Sequence, residues 1–135
     1  MNKEKREAIM RRLADERPLP ESELAWTTPY ELLVAVVLSA QATDKSVNLA
    51  TAKLYPVANT PESILALGEE GLIPYIRTIG LYRNKAKNII ALSRQLLERF
   101  GGVVPRDREA LQSLPGVGRK TANVVLSQRQ NTRRD

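Results

Sequence analysis

Apolar residues recur along most of the chain at the three- and four-residue spacing of amphipathic helices. The clearest stripe predicts a helix that Asn84 caps and that Gly101 and Gly102 end. Seven small or apolar side chains form this stripe: Ala86, Ile89, Ile90, Ser93, Leu96, Leu97 and Phe100. A second segment, Leu32 to Leu38, is apolar on every side, and a helix of this kind is buried on every side. We expect it to be the central helix of the domain.

The central segment has clear boundaries. Thr28, Pro29 and Glu31 combine an N-cap, a proline at the first helical position and an acid three residues after the cap. At the other end, small polar residues from Ser39 to Asp44 interrupt the apolar run. The pattern therefore predicts a turn between two helices, the second of which ends before Pro56.

Three further signals of helix boundaries lie between these two regions of the chain. Thr60-Pro61 predicts the start of a short helix, and Gly68 predicts its end. Pro74 predicts a kink or a restart, because a proline inside a helix removes one hydrogen bond and clashes with the preceding turn.

These elements predict one folded domain over residues 22–126. Residues 1–21 form an N-terminal charged helix and a linker in this interpretation. Residues 127–135 contain no apolar side chain, so we expect a disordered basic tail there.

A glycine-rich stretch, Leu114 to Ala122, joins two short apolar helical patterns within residues 107–126. Pro115 cannot continue the preceding helix, while Gly116 and Gly118 permit positive φ and keep side chains away from the backbone. A new helix opens at about Gly118, so its unpaired N–H groups and the positive end of its dipole face outward. This arrangement favours a bound phosphate.

Composition narrows the fold and the chemistry. Aromatic residues make up only 4% of the chain and apolar residues 42%, mainly Leu, Ala, Val and Ile, which favours an all-α fold. The chain has no cysteine and no histidine, which excludes thiol nucleophiles, histidine triads, disulfides and ordinary zinc or iron–sulphur sites. We therefore expect no cofactor.

Charge is distributed unevenly within the net value of +6. Residues 1–76 hold 8 basic and 11 acidic side chains, whereas residues 77–135 hold 13 basic and 4 acidic ones. A positive field beside a phosphate-binding turn indicates nucleic acid as the partner. From charge alone, a solvated basic surface is an equally good interpretation.

The glycine-rich stretch is a helix-hairpin-helix motif and closely resembles the endonuclease III family of DNA glycosylases. Three further blocks resemble that family in the same order and at similar spacing. The four blocks are LPGVGRKTANVV at Leu114–Val125, LSAQATD at Leu38–Asp44, ATAKLYP at Ala50–Pro56 and TIGLY at Thr78–Tyr82. The resemblance implies an all-α, six-helix barrel-like domain with a helix-hairpin-helix motif.

The resemblance also implies a reaction. It implies excision of oxidised pyrimidines from duplex DNA, followed by strand cleavage at the abasic site through a lysine Schiff base, and Lys120 matches that lysine. An amine can displace the base at C1′, form an imine and so acidify the C2′ proton. On the residues alone, Lys120 is a phosphate contact, and a non-catalytic helix-hairpin-helix DNA-binding module is the alternative function.

Further DNA contacts are implied by the resemblance. A damaged base must leave the duplex before its sugar is accessible, and Gln41 is expected to fill the vacated space while Leu81 wedges into the opposite strand. Without the resemblance, Gln41 is a polar residue at a helix end and Leu81 a core leucine in a turn. The remaining predicted contacts lie on the hairpin: Leu114, Gly116, Val117, Gly118, Arg119 and Thr121.

The resemblance ends at about Leu126. The family has an aspartate that assists base departure, and Asp135, the only acid in this region, does not match it. The [4Fe–4S] cluster of the family cannot bind without cysteines. We therefore expect a C-terminally truncated or frameshifted copy with impaired activity. We also expect a bacterial, cytoplasmic, nucleoid-associated monomer that acts on double-stranded DNA.

Overall fold

The computed structural model describes residues 24–133, with side chains up to residue 128, and this part of the chain is all-α. Within it there are six helices: α1 (Pro29–Leu38), α2 (Asp44–Leu54), α3 (Pro61–Ile76), α4 (Tyr82–Phe100), α5 (Arg108–Gln112) and α6 (Arg119–Arg133). The N-terminal helix predicted within residues 1–21 lies outside the described residues. Between residues 24 and 133, no helix is both long and apolar enough to cross a membrane.

Helix α1 is the central helix, as its sequence predicts. Every residue from Tyr30 to Leu38 is buried, and α1 packs against α2, α4 and α6. The hydroxyl of Thr28 accepts a hydrogen bond from the N–H of Glu31 at 3.1 Å, which confirms the predicted N-cap.

Among the described helices, α3 and α4 pack against each other most extensively. The backbone of α3 leaves helical geometry at Gly68, where φ is 72° and ψ is 174°, as the glycine predicts. Pro74 lies inside the helical segment that follows. Gly101, at φ 64°, ends α4 as predicted.

The predicted start of α4 was wrong by three residues. The helix begins at Tyr82, so Asn84 lies in its first turn, and Leu81 occupies the capping position with φ 60°. Leucine has no polar side-chain group with which to cap a helix, so local sequence rules do not identify this start. The buried side chain of Lys85, in the first turn of α4, instead bonds to the end of α1, as described below.

The predicted disordered tail was also wrong in part, because α6 continues beyond Leu126 to Arg133. Polar residues such as Gln and Arg extend a helix readily once its first turns are formed. Buried Ala122 and Val125 anchor those turns. Absence of apolar residues therefore did not end the helix.

Candidate nucleic-acid interface

The hairpin is built from apolar residues that point inward. Leu114 and Val117 are buried, and the N–H of Val117 donates to the carbonyl of Leu114 at 3.1 Å, which closes the turn. Asp107 caps α5 by accepting from the N–H of Ala110 at 2.9 Å. The N–H of Ala122 donates to the carbonyl of Gly118 at 2.9 Å, which opens α6. Packing and capping thus hold the hairpin in one conformation.

Gly116 fits closely against α4. Its φ is 79°, and a Cβ atom at this position would lie 2.8 Å from the Cβ of Asn88. Only glycine combines that φ with so short an approach at no cost. The hairpin is therefore seated on the second turn of α4.

The outer surface of the hairpin carries the predicted DNA contacts that remain accessible. Gly118, Arg119 and Lys120 are exposed, and Thr121 is half-buried. No heavy atom lies within 4 Å of the position that a Cβ on Gly118 would take. The first N–H groups of α6 have no intrahelical partner, and the helix dipole adds positive charge there. This surface can accept a phosphate close to the backbone.

Leu114 and Val117, both predicted as DNA contacts, have side chains that belong to the hydrophobic core. Any contact that they make with DNA is restricted to main-chain atoms. Their apolar character serves hairpin packing, since a turn between two short helices needs buried anchors to hold its shape.

Two exposed turns on the same domain carry the other predicted contacts. We call them the Gln41 turn (residues 39–43) and the Leu81 turn (residues 77–81). Among the described residues, the non-glycine residues with positive φ are Gln41, at 59°, and Leu81, at 60°. The Gln41 side chain is exposed and that of Leu81 is 58% exposed. Such angles disfavour residues with a Cβ atom, so each turn holds its residue in a strained conformation.

The two turns are neighbours in space. A Cβ on Gly80, which precedes Leu81, would lie 3.9 Å from the carbonyl oxygen of Gln41. The structure thus brings together two predicted residues that are 40 positions apart in sequence. An exposed leucine in strained geometry is not a core leucine, so this alternative interpretation of Leu81 does not hold.

Lys85 was missed by sequence reasoning. Its side chain is buried, and its ammonium donates to the carbonyls of Leu38 at 2.9 Å and Ala40 at 2.5 Å. Burial lowers the pKa of Lys85 below its ordinary value. One sequence signal was available, because Lys85 lies four residues before Ile89 on the buried stripe of α4.

Glu31 occupies the opposite end of α1. Its carboxylate accepts from the N–H and hydroxyl of Thr27 at 2.7 and 2.8 Å and from the amide of Asn59 at 3.0 Å. Burial alone raises the pKa of Glu31, but the hydrogen bonds from Asn59 and Thr27 outweigh it and lower that pKa. The acid and Lys85 thus complement the dipole at the two ends of α1.

The iron–sulphur cluster that the family resemblance implies does not fit this chain. Its 135 residues include no cysteine to supply a thiolate ligand and no histidine. Among residues 24–133, no group of three or more acidic side chains is placed to hold a metal ion.

Comparisons with known proteins agree with this geometry. Residues 34–133 match the HhH-GPD superfamily base excision DNA repair protein family. Endonuclease III of Escherichia coli (strain K12) is 64% identical over 127 residues, which cover 94% of this chain and 60% of that protein. Endonuclease III of Haemophilus influenzae is 61% identical over 127 residues, which again cover 94% of this chain and 60% of that protein. The chain thus spans about 60% of the length of these relatives.

A solved structure has the same fold. The structure of a trapped endonuclease III–DNA covalent intermediate superposes with a TM-score of 0.76 at 55% identity, over 78% of this chain and 49% of that one. The residues that match the family model, 34–133, include the hairpin described above. The chain therefore belongs to the HhH-GPD superfamily of base excision DNA repair proteins and is similar to endonuclease III.

Proposed function

We propose that the chain acts in base excision repair as an endonuclease III-like DNA N-glycosylase for oxidised pyrimidines, with abasic-site lyase activity through Lys120. One observation carries the proposal: an exposed lysine follows the hairpin, and the strained Gln41 and Leu81 turns adjoin each other on the same domain. The relatives named endonuclease III and the covalent endonuclease III–DNA intermediate support the same reaction. The partner is double-stranded DNA with damaged bases or abasic sites.

The Gln41 and Leu81 turns suit a distorted duplex. Extruding a base from the stack costs a few kcal/mol of stacking and pairing, which a protein recovers by filling the gap. Gln41 offers an amide that can hydrogen-bond to an unpaired base, and Leu81 offers an apolar wedge. Because the two turns adjoin, both side chains reach one lesion.

The hairpin provides charge and close backbone approach. Gly118 leaves room for a phosphate beside the first turn of α6, where Arg119 adds a full positive charge. Backbone N–H groups and helix ends position a protein on DNA without reading its sequence. This anchoring brings the sugar next to Lys120.

Lys120 supplies the nucleophile. Its neutral amine forms a bond to C1′ while the bond from C1′ to the base breaks, and the base leaves with the electron pair and takes up a proton. Opening of the sugar ring then gives an imine between the lysine nitrogen and C1′. Loss of the C2′ proton breaks the C3′–O bond and releases the strand end. A hydroxyl nucleophile cannot form this imine.

Borohydride trapping tests the proposal. A duplex with one abasic site is incubated with the chain and sodium borohydride, which reduces the imine to a stable amine. We expect a covalent complex with the wild type and, in Lys120→Ala, a loss of at least 100-fold to the background level. Lys53→Ala is the matched control, because Lys53 is an exposed lysine near the end of α2.

Two outcomes contradict lyase chemistry at Lys120. Adduct yield that is equal in the wild type and in Lys120→Ala assigns the imine to another amine. Tight binding of the abasic duplex without any adduct identifies a non-catalytic helix-hairpin-helix DNA-binding module instead.

A further inference from the structure

The end of α1 is held by hydrogen bonds of two kinds. Within the turn that follows α1, N–H groups donate to four carbonyls, those of Ala35, Val36, Val37 and Ser39. The carbonyls of Leu38 and Ala40 instead accept from the ammonium of Lys85. Buried or half-buried carbonyls need partners, and a cation at a helix C-terminus also complements the dipole. Lys85 thus completes the pairing of the α1 terminus from another helix.

Lys85 lies in the first turn of α4, which directly follows Leu81. Its N–H donates to the carbonyl of Leu81 at 3.0 Å, the ordinary first hydrogen bond of a helix, so it is the side chain of Lys85 that ties the start of α4 to the end of α1. Ala40, which accepts from the side chain of Lys85, forms the peptide bond to Gln41. One residue therefore contacts the carbonyl of one strained residue and the peptide plane that precedes the other. Strained φ values persist only where surrounding contacts hold them.

Helix α4 extends this framework to the hairpin. Leu81 precedes its first turn, Lys85 lies one turn further along, and Asn88 contacts Gly116 nearly one turn beyond that. At 1.5 Å per residue, the seven residues from Leu81 to Asn88 span about 10 Å. The start of α4 thus follows the Leu81 turn directly, bonds to the end of α1 through Lys85 and contacts the hairpin at Gly116.

We propose that Lys85 is a positioning residue that holds the Gln41 turn and the Leu81 turn in one fixed arrangement, so that both side chains enter a DNA lesion together. This role rests on the proposed function, since it concerns the residues that are expected to enter the lesion. Lys85 itself contacts no DNA in this arrangement, because its side chain is 5% exposed. It acts through Gln41 and Leu81 by preorganising them before binding.

The test compares Lys85→Met with Lys53→Met. Methionine is unbranched and close to lysine in volume, although one atom shorter, and it donates no hydrogen bond. Lys53→Met removes the same charge from an exposed position. The chains are bound to a duplex with a tetrahydrofuran abasic-site analogue and to an undamaged duplex. The preference for the abasic analogue is the Kd for the undamaged duplex divided by the Kd for the analogue duplex. We expect this preference to fall at least tenfold in Lys85→Met and less than twofold in Lys53→Met.

A spectroscopic signature separates positioning from mere stability. With 2-aminopurine opposite the tetrahydrofuran site, insertion of Leu81 unstacks the probe and raises its fluorescence. We expect the wild type and Lys53→Met to give the rise at saturating protein, and Lys85→Met to give less than a third of it. An undiminished rise with Lys85→Met overturns the proposal.

Hydrogen–deuterium exchange without DNA decides the role of Lys85 independently of the proposed function. We expect amides of residues 39–43 to exchange at least tenfold faster in Lys85→Met, while the buried Ile64 and Leu72 amides of α3 keep their wild-type rates. Faster exchange throughout the domain, or loss of the helical circular dichroism spectrum, assigns Lys85 to global stability and overturns the proposal. A wild type without preference for the abasic analogue counts against the proposed function instead.

Discussion

The hairpin and the two exposed turns reach left-handed backbone in different ways. In the hairpin a glycine, Gly116, takes the positive φ, and the apolar side chains of Leu114 and Val117 point into the core. In the turns, Gln41 and Leu81 take it, and their side chains face solvent. A non-glycine residue in this region costs about 1–3 kcal/mol. The hairpin thus presents backbone at no strain, whereas the turns accept strain to present side chains.

This difference matches the chemistry proposed for each region. A phosphate is bound by N–H groups and positive charge, for which side chains near the turn are obstacles. A gap in a base stack must be filled by side-chain atoms held at a defined angle. Under the proposed function, the strain at Gln41 and Leu81 presents the side chains that enter the lesion, whereas glycine at 116 meets a packing requirement.

The largest effect is expected from Gly116→Ala. The new Cβ would clash with Asn88 and would occupy a disfavoured φ, so we expect the free energy of unfolding to fall by about 2–4 kcal/mol. Gly118→Ala is the matched control, since its Cβ would meet nothing within 4 Å, and we expect it to cost less than about 0.5 kcal/mol. Urea denaturation measures both. Equal costs at the two glycines would contradict the account of the hairpin.

The next effect separates strain from function at Leu81. Asparagine tolerates left-handed backbone better than leucine does. Leu81→Asn is therefore expected to leave stability unchanged or raise it by about 0.5–1 kcal/mol, while the preference for an abasic duplex falls about tenfold. Leu49→Asn, at an exposed leucine of α2, controls for loss of an apolar side chain. Lower stability in Leu81→Asn would show that the turn is not strained.

A smaller effect, on the salt dependence of DNA binding, is expected for a charged residue of the hairpin and not for the exposed turns. Removing one phosphate contact lowers the slope of log K against log salt by about 0.9 in magnitude. We expect this change in Arg119→Gln, together with a several-fold weaker affinity for damaged and undamaged duplexes alike. Binding titrations at four salt concentrations measure the slope. In Leu81→Asn the slope should not change, and a shared change would remove the distinction between the two regions.

The smallest effect on either region is expected from Glu31→Gln, which alters stability at the far end of α1. The lowered pKa of Glu31 means that its carboxylate stabilises the fold above the ordinary value of 4.5 and that this stabilisation is lost as the pH falls below it. We expect the wild type to lose stability in acid more steeply than Glu31→Gln. At pH 7 the variant should keep the wild-type preference for abasic DNA. A lost preference would show that the turns depend on global stability.

Helix positions followed from the sequence where a local rule and burial agreed. Thr28 caps α1 through the hydroxyl that its residue type supplies, and Asp107 caps α5 in the same way. Gly68 and Gly101 interrupt or end helices at positive φ, as glycine favours. The start of α4 failed this reasoning, because the capping position is occupied by Leu81, whose side chain makes no capping hydrogen bond. The predicted end of α6 was wrong because the polar residues that extend this helix form no apolar stripe from which a helix could be predicted.

The sequence by itself determined an all-α domain with a central buried helix and the hairpin, and its resemblance to a known family, rather than any local rule, identified Lys120 as the candidate nucleophile. Periodicity, capping residues and motif spacing are local properties of the chain, so they can be identified from the sequence alone. Tertiary structure alone decided that Gln41 and Leu81 adjoin, that Leu114 and Val117 turn inward, and that the buried Lys85 joins the two strained turns. Those facts depend on which helices pack together, since hydrogen bonds from one helix to the end of another form only after folding has brought them within about 3 Å.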